Sequence, residues 1–156
     1  MPRRRSASRI FLVSSSHRLL LFKIHYKTGA LVGRSYWATP GGGLRGYESF
    51  EAAAVRELYE ETGLDVQSVG RCIARKEFLW QMPDGEQVLA VENYYVVYAC
   101  AEHCSTAGWS PQERDAVCEI KWWSENELMV STEEILPPDL PILFVRALLM
   151  APDQSG

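Results

Sequence analysis

The chain has 156 residues, 47% hydrophobic and 23% charged, which suits one domain with its own core and is ordinary for a soluble globular protein. A net charge of −4 and a pI near 5.4 argue against a dedicated nucleic-acid scaffold, and no apolar run approaches a membrane span or a signal-peptide core. Cys72, Cys100, Cys104 and Cys118 have no paired C-x-x-C spacing, so free thiols in a reducing, cytoplasmic setting are expected; Cys100, His103 and Cys104 lack the second pair a structural zinc site needs.

Residues 1–8 carry Arg3, Arg4 and Arg5 among Pro and Ser and are expected to form a flexible tail, with a phosphate or nucleic-acid contact as the lesser alternative. The domain is then expected over residues 9–156. Arg9 to Ser15 holds the apolar run Ile10-Phe11-Leu12-Val13 and reads as a strand, Ser16-His17-Arg18 as a turn, and Leu19 to Tyr26 as the partner strand. His17 and His25 are isolated and read as structural. Lys27 to Ser35 is a Gly-containing loop, and Tyr36 to Gly41 a short strand in which Trp37 should plug the core.

Gly42 to Leu64 is the stretch on which the rest depends. Its second half has helix composition, with Ala52, Ala53, Ala54 and Leu58. Ser49 is placed as N-cap and Gly63 as the left-handed residue that ends the helix. At roughly 100° per residue, Glu57, Glu60 and Glu61 fall at about 0°, 300° and 40°, so the three carboxylates share a face. Like charges at these spacings repel by about 0.2–0.5 kcal/mol per pair, and Arg56 supplies one positive charge. A hard divalent cation, Mg²⁺ or Mn²⁺, is the simplest missing partner. Gly41, Gly42 and Gly43 allow close approach of a ligand.

A bare E-x-x-E-E would read as a solvated acidic helix. Here Gly42, Glu48, Arg56, Glu57, Leu58, Glu60, Glu61, Gly63 and Leu64 stand at set intervals. The pattern resembles the Nudix box, G-x5-E-x7-R-E-U-x-E-E-x-G-U with U aliphatic, at every fixed position.

Downstream, Val69 to Gln81 and Gln87 to Cys100 read as a hairpin joined at Asp84-Gly85. Glu102 to Glu113, with Ser105, Thr106, Gly108, Ser110 and Pro111, reads as a mobile loop. Ala116 to Trp123 is a further strand, Ser124 to Glu127 opens a short helix with a capping box, and Ile142 to Met150 is an apolar helix that should cover the sheet. Mixed strands and helices indicate an α/β protein; the Nudix resemblance implies an α/β/α sandwich around a mixed β-sheet.

The resemblance also implies an activity: hydrolysis of a pyrophosphate bond in a nucleoside diphosphate linked to another group. It implies Glu57, Glu60, Glu61 and the Gly41 carbonyl as ligands of Mg²⁺ or Mn²⁺. Arg56 would hold a glutamate in place, and Glu48 would support the ligands or add to them, next to Gly42. For the general base, Glu57 and Glu113 are the candidates, ahead of Glu119 and Glu92. Phe78, Trp80 and Met82 share one face of the hairpin, and Trp80 could stack on a nucleobase; core or homodimer packing is the competing use of that face. The alternative function is an idle, nucleotide-binding Nudix-like sensor or interaction module. Neither reading involves a membrane or nucleic-acid partner.

Overall fold

Alternation along the central strands decides how the layers form. The chain is described over residues 1–150 in a computed structural model. Its elements are β1 (Arg3–Ser14), β2 (Leu19–His25), β3 (Ser35–Ala38), β4 (Gly41–Gly43), α1 (Phe50–Thr62), β5 (Cys72–Gln81), β6 (Gln87–Ala99), α2 (Pro111–Ala116), β7 (Val117–Trp123), α3 (Glu125–Val130) and α4 (Leu140–Leu149). Along β1, Ile10 and Leu12 enter a core shared with Ala54 and Leu58 of α1. Phe11 and Val13 enter a second core shared with Leu140, Leu143 and Phe144 of α4. Adjacent Tyr94 and Tyr95 on β6 divide the same way, one to each core. Both faces of the strand are apolar, and two helices are needed to cover them. The result is the α/β/α sandwich.

The sheet is mixed. β1 runs parallel to β6 along its whole length, from Arg3 opposite Val88 to Ser14 opposite Ala99. β6 is antiparallel to β5, as is β2 to both β3 and β7. The hairpin turn between β5 and β6 is tied by Asp84, whose side chain accepts the Glu86 N–H at 2.8 Å. Trp37 is 1% exposed and lies edge-on to Trp123 at 5.0 Å, filling the α4-side core as its size suggests.

Two expectations are corrected. Residues 3–8 are not a flexible tail but the first half of β1. Their backbone pairs with β6 on one side, and Ala7, Ser8 and Arg9 pair with Gly43, Gly42 and Gly41 of β4 on the other. An arginine-rich segment hides this because backbone pairing, not apolar side chains, holds it in the sheet.

The segment from residue 102 to 113 is not free either. The Ser105 N–H donates to Thr62 O at 2.8 Å, and Trp109 Nε1 donates to Glu61 O at 2.7 Å. Both acceptors are among the carbonyls that a helix leaves unsatisfied at its end. No helix among the described residues is long and apolar enough to cross a membrane.

Candidate active site

Helix α1 is capped as its sequence indicates. Ser49 accepts the Ala52 N–H at 3.0 Å, and Gly63, at φ 80°, donates to Tyr59 O. Because Ala54 and Leu58 bury the inner side of the helix, the neighbouring Glu57 and Glu61 go inward as well. They are 8% and 5% exposed.

β4 makes room for them. A Cβ on Gly42 would stand 2.5 Å from Glu57 Oε1, so only glycine leaves that carboxylate its place. Gly41, at φ 149°, directs its N–H toward the Glu61 oxygens at 3.3 and 3.4 Å. This contact engages the N–H of Gly41 and not its carbonyl, the atom expected to hold a metal.

Arg56 organises the outer side of the cluster. Its Nε and Nη2 each donate to Glu48 at 2.8 Å, its Nη1 to Glu57 at 2.8 Å and to Glu60 at 3.3 Å, and its Nη2 also to Gly43 O at 3.0 Å. The bonds from Arg56 push the Glu48 carboxyl down to about 2, aided by the Arg45 N–H. Glu60 also accepts from Arg45 at 3.2 Å. It is thus turned outward to two arginines, and among the described residues no three acidic, imidazole or thiol side chains converge as they stand.

Glu61 is the exception in this arginine-rich setting. Burial, then the adjacent Glu57 and the more distant Glu113, push its carboxyl well above the usual range, and Arg9 opposes them. A buried acid facing other acids is unfavourable unless a cation or a proton joins it. The Glu57–Glu61 pair therefore suits a hard divalent cation, which takes oxygen ligands.

The full pattern is matched by a family model. The NUDIX domain model covers residues 2–143. The chain belongs to the NUDIX domain family. It is a Nudix hydrolase, and hydrolysis of nucleotide pyrophosphate linkages is the chemistry at family level.

No curated protein matches the chain by sequence. Solved structures resemble this Nudix fold at low identity. The MutT protein from Methanosarcina mazei Go1 superposes with a TM-score of 0.68 at 17% identity, covering 96% of both chains. The NUDIX domain of Shewanella oneidensis NrtR, complexed with ADP ribose, gives 0.67 at 16% identity over 95% of this chain and 90% of its own. The E. coli ORF135 protein gives 0.63 at 18% identity over 99% and 96%.

On the other face of the sheet this Nudix domain holds a cavity of about 590 Å³. Trp80 and Phe78 line it together with Tyr36, Tyr94, Arg5 and Arg9. Trp80 meets Tyr36 and Phe78 edge-on, at 5.8 and 6.1 Å, and the Arg34 guanidinium lies over its ring at 4.7 Å. The aromatic face of the hairpin is thus a cavity wall, half-buried, with one ring face taken by Arg34.

The remaining acids separate by environment. Glu113 is not a loop residue. It is the third residue of α2, where its carboxylate accepts the Ser110 N–H at 3.0 Å in a capping box. It nevertheless lies near enough to raise the Glu61 carboxyl. Glu92 is held by Arg9 at 3.1 Å and by the Tyr94 hydroxyl at 2.9 Å. Glu119 is exposed on β7, opposite Lys23.

Sequence reasoning missed Trp109 and Arg9, and reached Arg5 only as one of three arginines of an expected tail, with a phosphate contact as the lesser alternative. Trp109 carried a signal, since a tryptophan within a Gly/Ser segment has to bury its ring somewhere; it packs edge-on against Phe22 at 5.5 Å. That either arginine approaches the site had no signal, because it depends on how β4 pairs with β1.

Proposed function

We propose that this Nudix hydrolase cleaves a pyrophosphate bond in a small nucleotide, with Mg²⁺ or Mn²⁺ held by Glu57 and Glu61, joined by Glu60 and the backbone at Gly41. The observation that carries this reading is the buried Glu57–Glu61 pair beneath Gly41 and Gly42, in which Glu61 is bonded to no cationic side chain among the described residues. A divalent ion bound there would offset phosphate charge, orient the diphosphate and make a water more acidic.

The protein's own groups have separable tasks. Arg56 fixes the directions of Glu48, Glu57 and Glu60 through charge-assisted bonds. Glu57 and Glu113 are the two candidates to take a proton from the attacking water. Glu113 would first leave the Ser110 N–H, a bond whose loss costs about 0.5–1.5 kcal/mol. Trp109 ties the segment before α2 to the end of α1 and so keeps Glu113 near Glu61. The nucleobase would enter the aromatic cavity against Trp80 and Phe78, where stacking contributes about 1–3 kcal/mol per base.

The substrate class spans nucleoside triphosphates, nucleotide sugars and dinucleoside polyphosphates. The test is a panel of these assayed for released phosphate and pyrophosphate with Mg²⁺, with Mn²⁺ and in excess EDTA. Turnover of at least one that is lost in EDTA is expected. Full turnover in EDTA would sink the metal assignment.

A further inference from the structure

Not every cation that lines the cavity has a partner among the described residues. Among its lining groups, Arg9 pairs with Glu92 at 3.1 Å, Lys76 pairs with Asp139, and Glu77 pairs with Arg75 at 3.5 Å. Arg5 remains, and among the described residues it makes neither a side-chain hydrogen bond nor an ion pair, although it is half-buried. Burial, and then the like charge of Arg9, lower its pKa, so the protein holds this cation against an electrostatic cost.

Its location is specific. Two residues along β1, Ala7 pairs with Gly43 of β4, and a Cβ on Gly43 would stand 3.3 Å from Arg5 Nη2. Arg5 therefore lies where the cavity meets the glycine strand that covers Glu57. Glu57 attracts it across that distance but is already bonded to Arg56 at 2.8 Å. The guanidinium has a planar fork of donors left free, a geometry matched to phosphate.

We propose that Arg5 binds the phosphate joined directly to the nucleoside, holding it between the aromatic cavity and the carboxylates of α1. The inference rests on the nucleotide reading above and deepens it: the substrate is a nucleoside 5′-phosphate derivative whose cleaved bond lies beyond that phosphate, toward Glu57 and Glu61. Arg9, the other arginine of the cavity, already has its charge paired by Glu92 through Nε.

The test uses the whole protein in EDTA. The four ribonucleoside 5′-monophosphates and the matching nucleosides are titrated calorimetrically into wild type, Arg5→Gln and Arg5→Lys. Wild type is expected to bind at least one monophosphate about tenfold to a hundredfold more tightly than its nucleoside. That margin should collapse in Arg5→Gln and return in part in Arg5→Lys, while the nucleoside affinity stays unchanged. The melting temperature of Arg5→Gln should hold or rise, since a like charge beside Arg9 is removed.

An undiminished margin in Arg5→Gln would overturn the assignment and leave the proposed function standing. A wild type that binds nucleosides without any phosphate margin would do the same. A wild type that binds neither nucleosides nor monophosphates would overturn the cavity reading together with it. Failure of Arg5→Gln to fold would make Arg5 a structural residue instead.

Discussion

Gly42 and Glu57 are in direct contact: a methyl-sized group on Gly42 would stand 2.5 Å from Glu57 Oε1 and 2.7 Å from its carboxyl carbon. The glycine is therefore the space in which the carboxylate lies, and the two residues act as one unit although one is on β4 and the other on α1. Gly42→Ala should push the Glu57 side chain off its place without opening a cavity. Turnover should fall at least about tenfold, equivalent to about 1.4 kcal/mol of barrier, while the protein still folds. Steady-state kinetics together with a thermal melt checks this; unchanged turnover would show that Glu57 is not held where it acts.

Glu61→Gln keeps the shape of a buried acid and removes its charge. Turnover should again drop by at least about tenfold. Without metal, the variant should be as stable as wild type or more so, because the carboxyl of Glu61 is held above its ordinary range by burial and then by Glu57. The sign follows from linkage: a carboxyl whose pKa is raised on folding favours the fold at low pH, and this contribution is lost as pH rises through the raised value. In EDTA, wild type should therefore lose stability with rising pH more than Glu61→Gln does. Parallel melting curves across pH for the two proteins would refute the account.

The opposite sign applies at Glu48. Its carboxyl is depressed to about 2, chiefly by the bonds from Arg56. A depressed acid stabilises the fold above its unfolded value, near 4.5, and that contribution drains away as pH falls toward 2. Glu48→Gln should destabilise the protein at neutral pH and narrow its acid-denaturation window, with melts from pH 7 to 2 as the measurement. Because Glu48 also anchors Arg56, turnover should fall too.

The two base candidates differ in what else they hold. Glu57 sits on a rigid helix beside Glu61, whereas Glu113 sits on a short helix and is tied to Ser110. Removing a positioned base typically costs about 10²–10⁴-fold in rate. Glu113→Gln should lower kcat by that factor with Mn²⁺ affinity intact if the α2 acid is the base, and Glu57→Gln should lower both. A Glu113→Gln enzyme with normal kcat would leave Glu57 as the base. The pH profile of kcat, measured alongside Mn²⁺ binding, separates the two.

Some of this molecule was legible before any coordinate. Helix α1 with both of its caps, the capping box at Ser124, the hairpin turn at Asp84-Gly85 and the opposed Tyr94 and Tyr95 all follow from short-range rules. Caps, turns and strand alternation depend on residues within a few positions of each other, so a linear reading reaches them. The acidic face of α1 was equally visible, because helical geometry alone puts Glu57, Glu60 and Glu61 together.

What the sequence by itself determined is thus the family, through one local pattern, and the alternation that calls for two helical layers. Tertiary structure decided the rest. It drew residues 3–8 into β1, because an arginine-rich segment can be held by backbone bonds that side-chain patterning does not report. It turned Glu60 toward Arg45 and Arg56 while burying Glu61, a choice among side-chain partners that come from different elements. It pinned Trp109 on the end of α1 and brought Glu113 near Glu61 across a long sequence separation. And it left Arg5 without a partner among the described residues, at the junction of cavity and glycine strand. Pairing of charges depends on distances between segments remote in the chain, and only the folded sheet sets those distances.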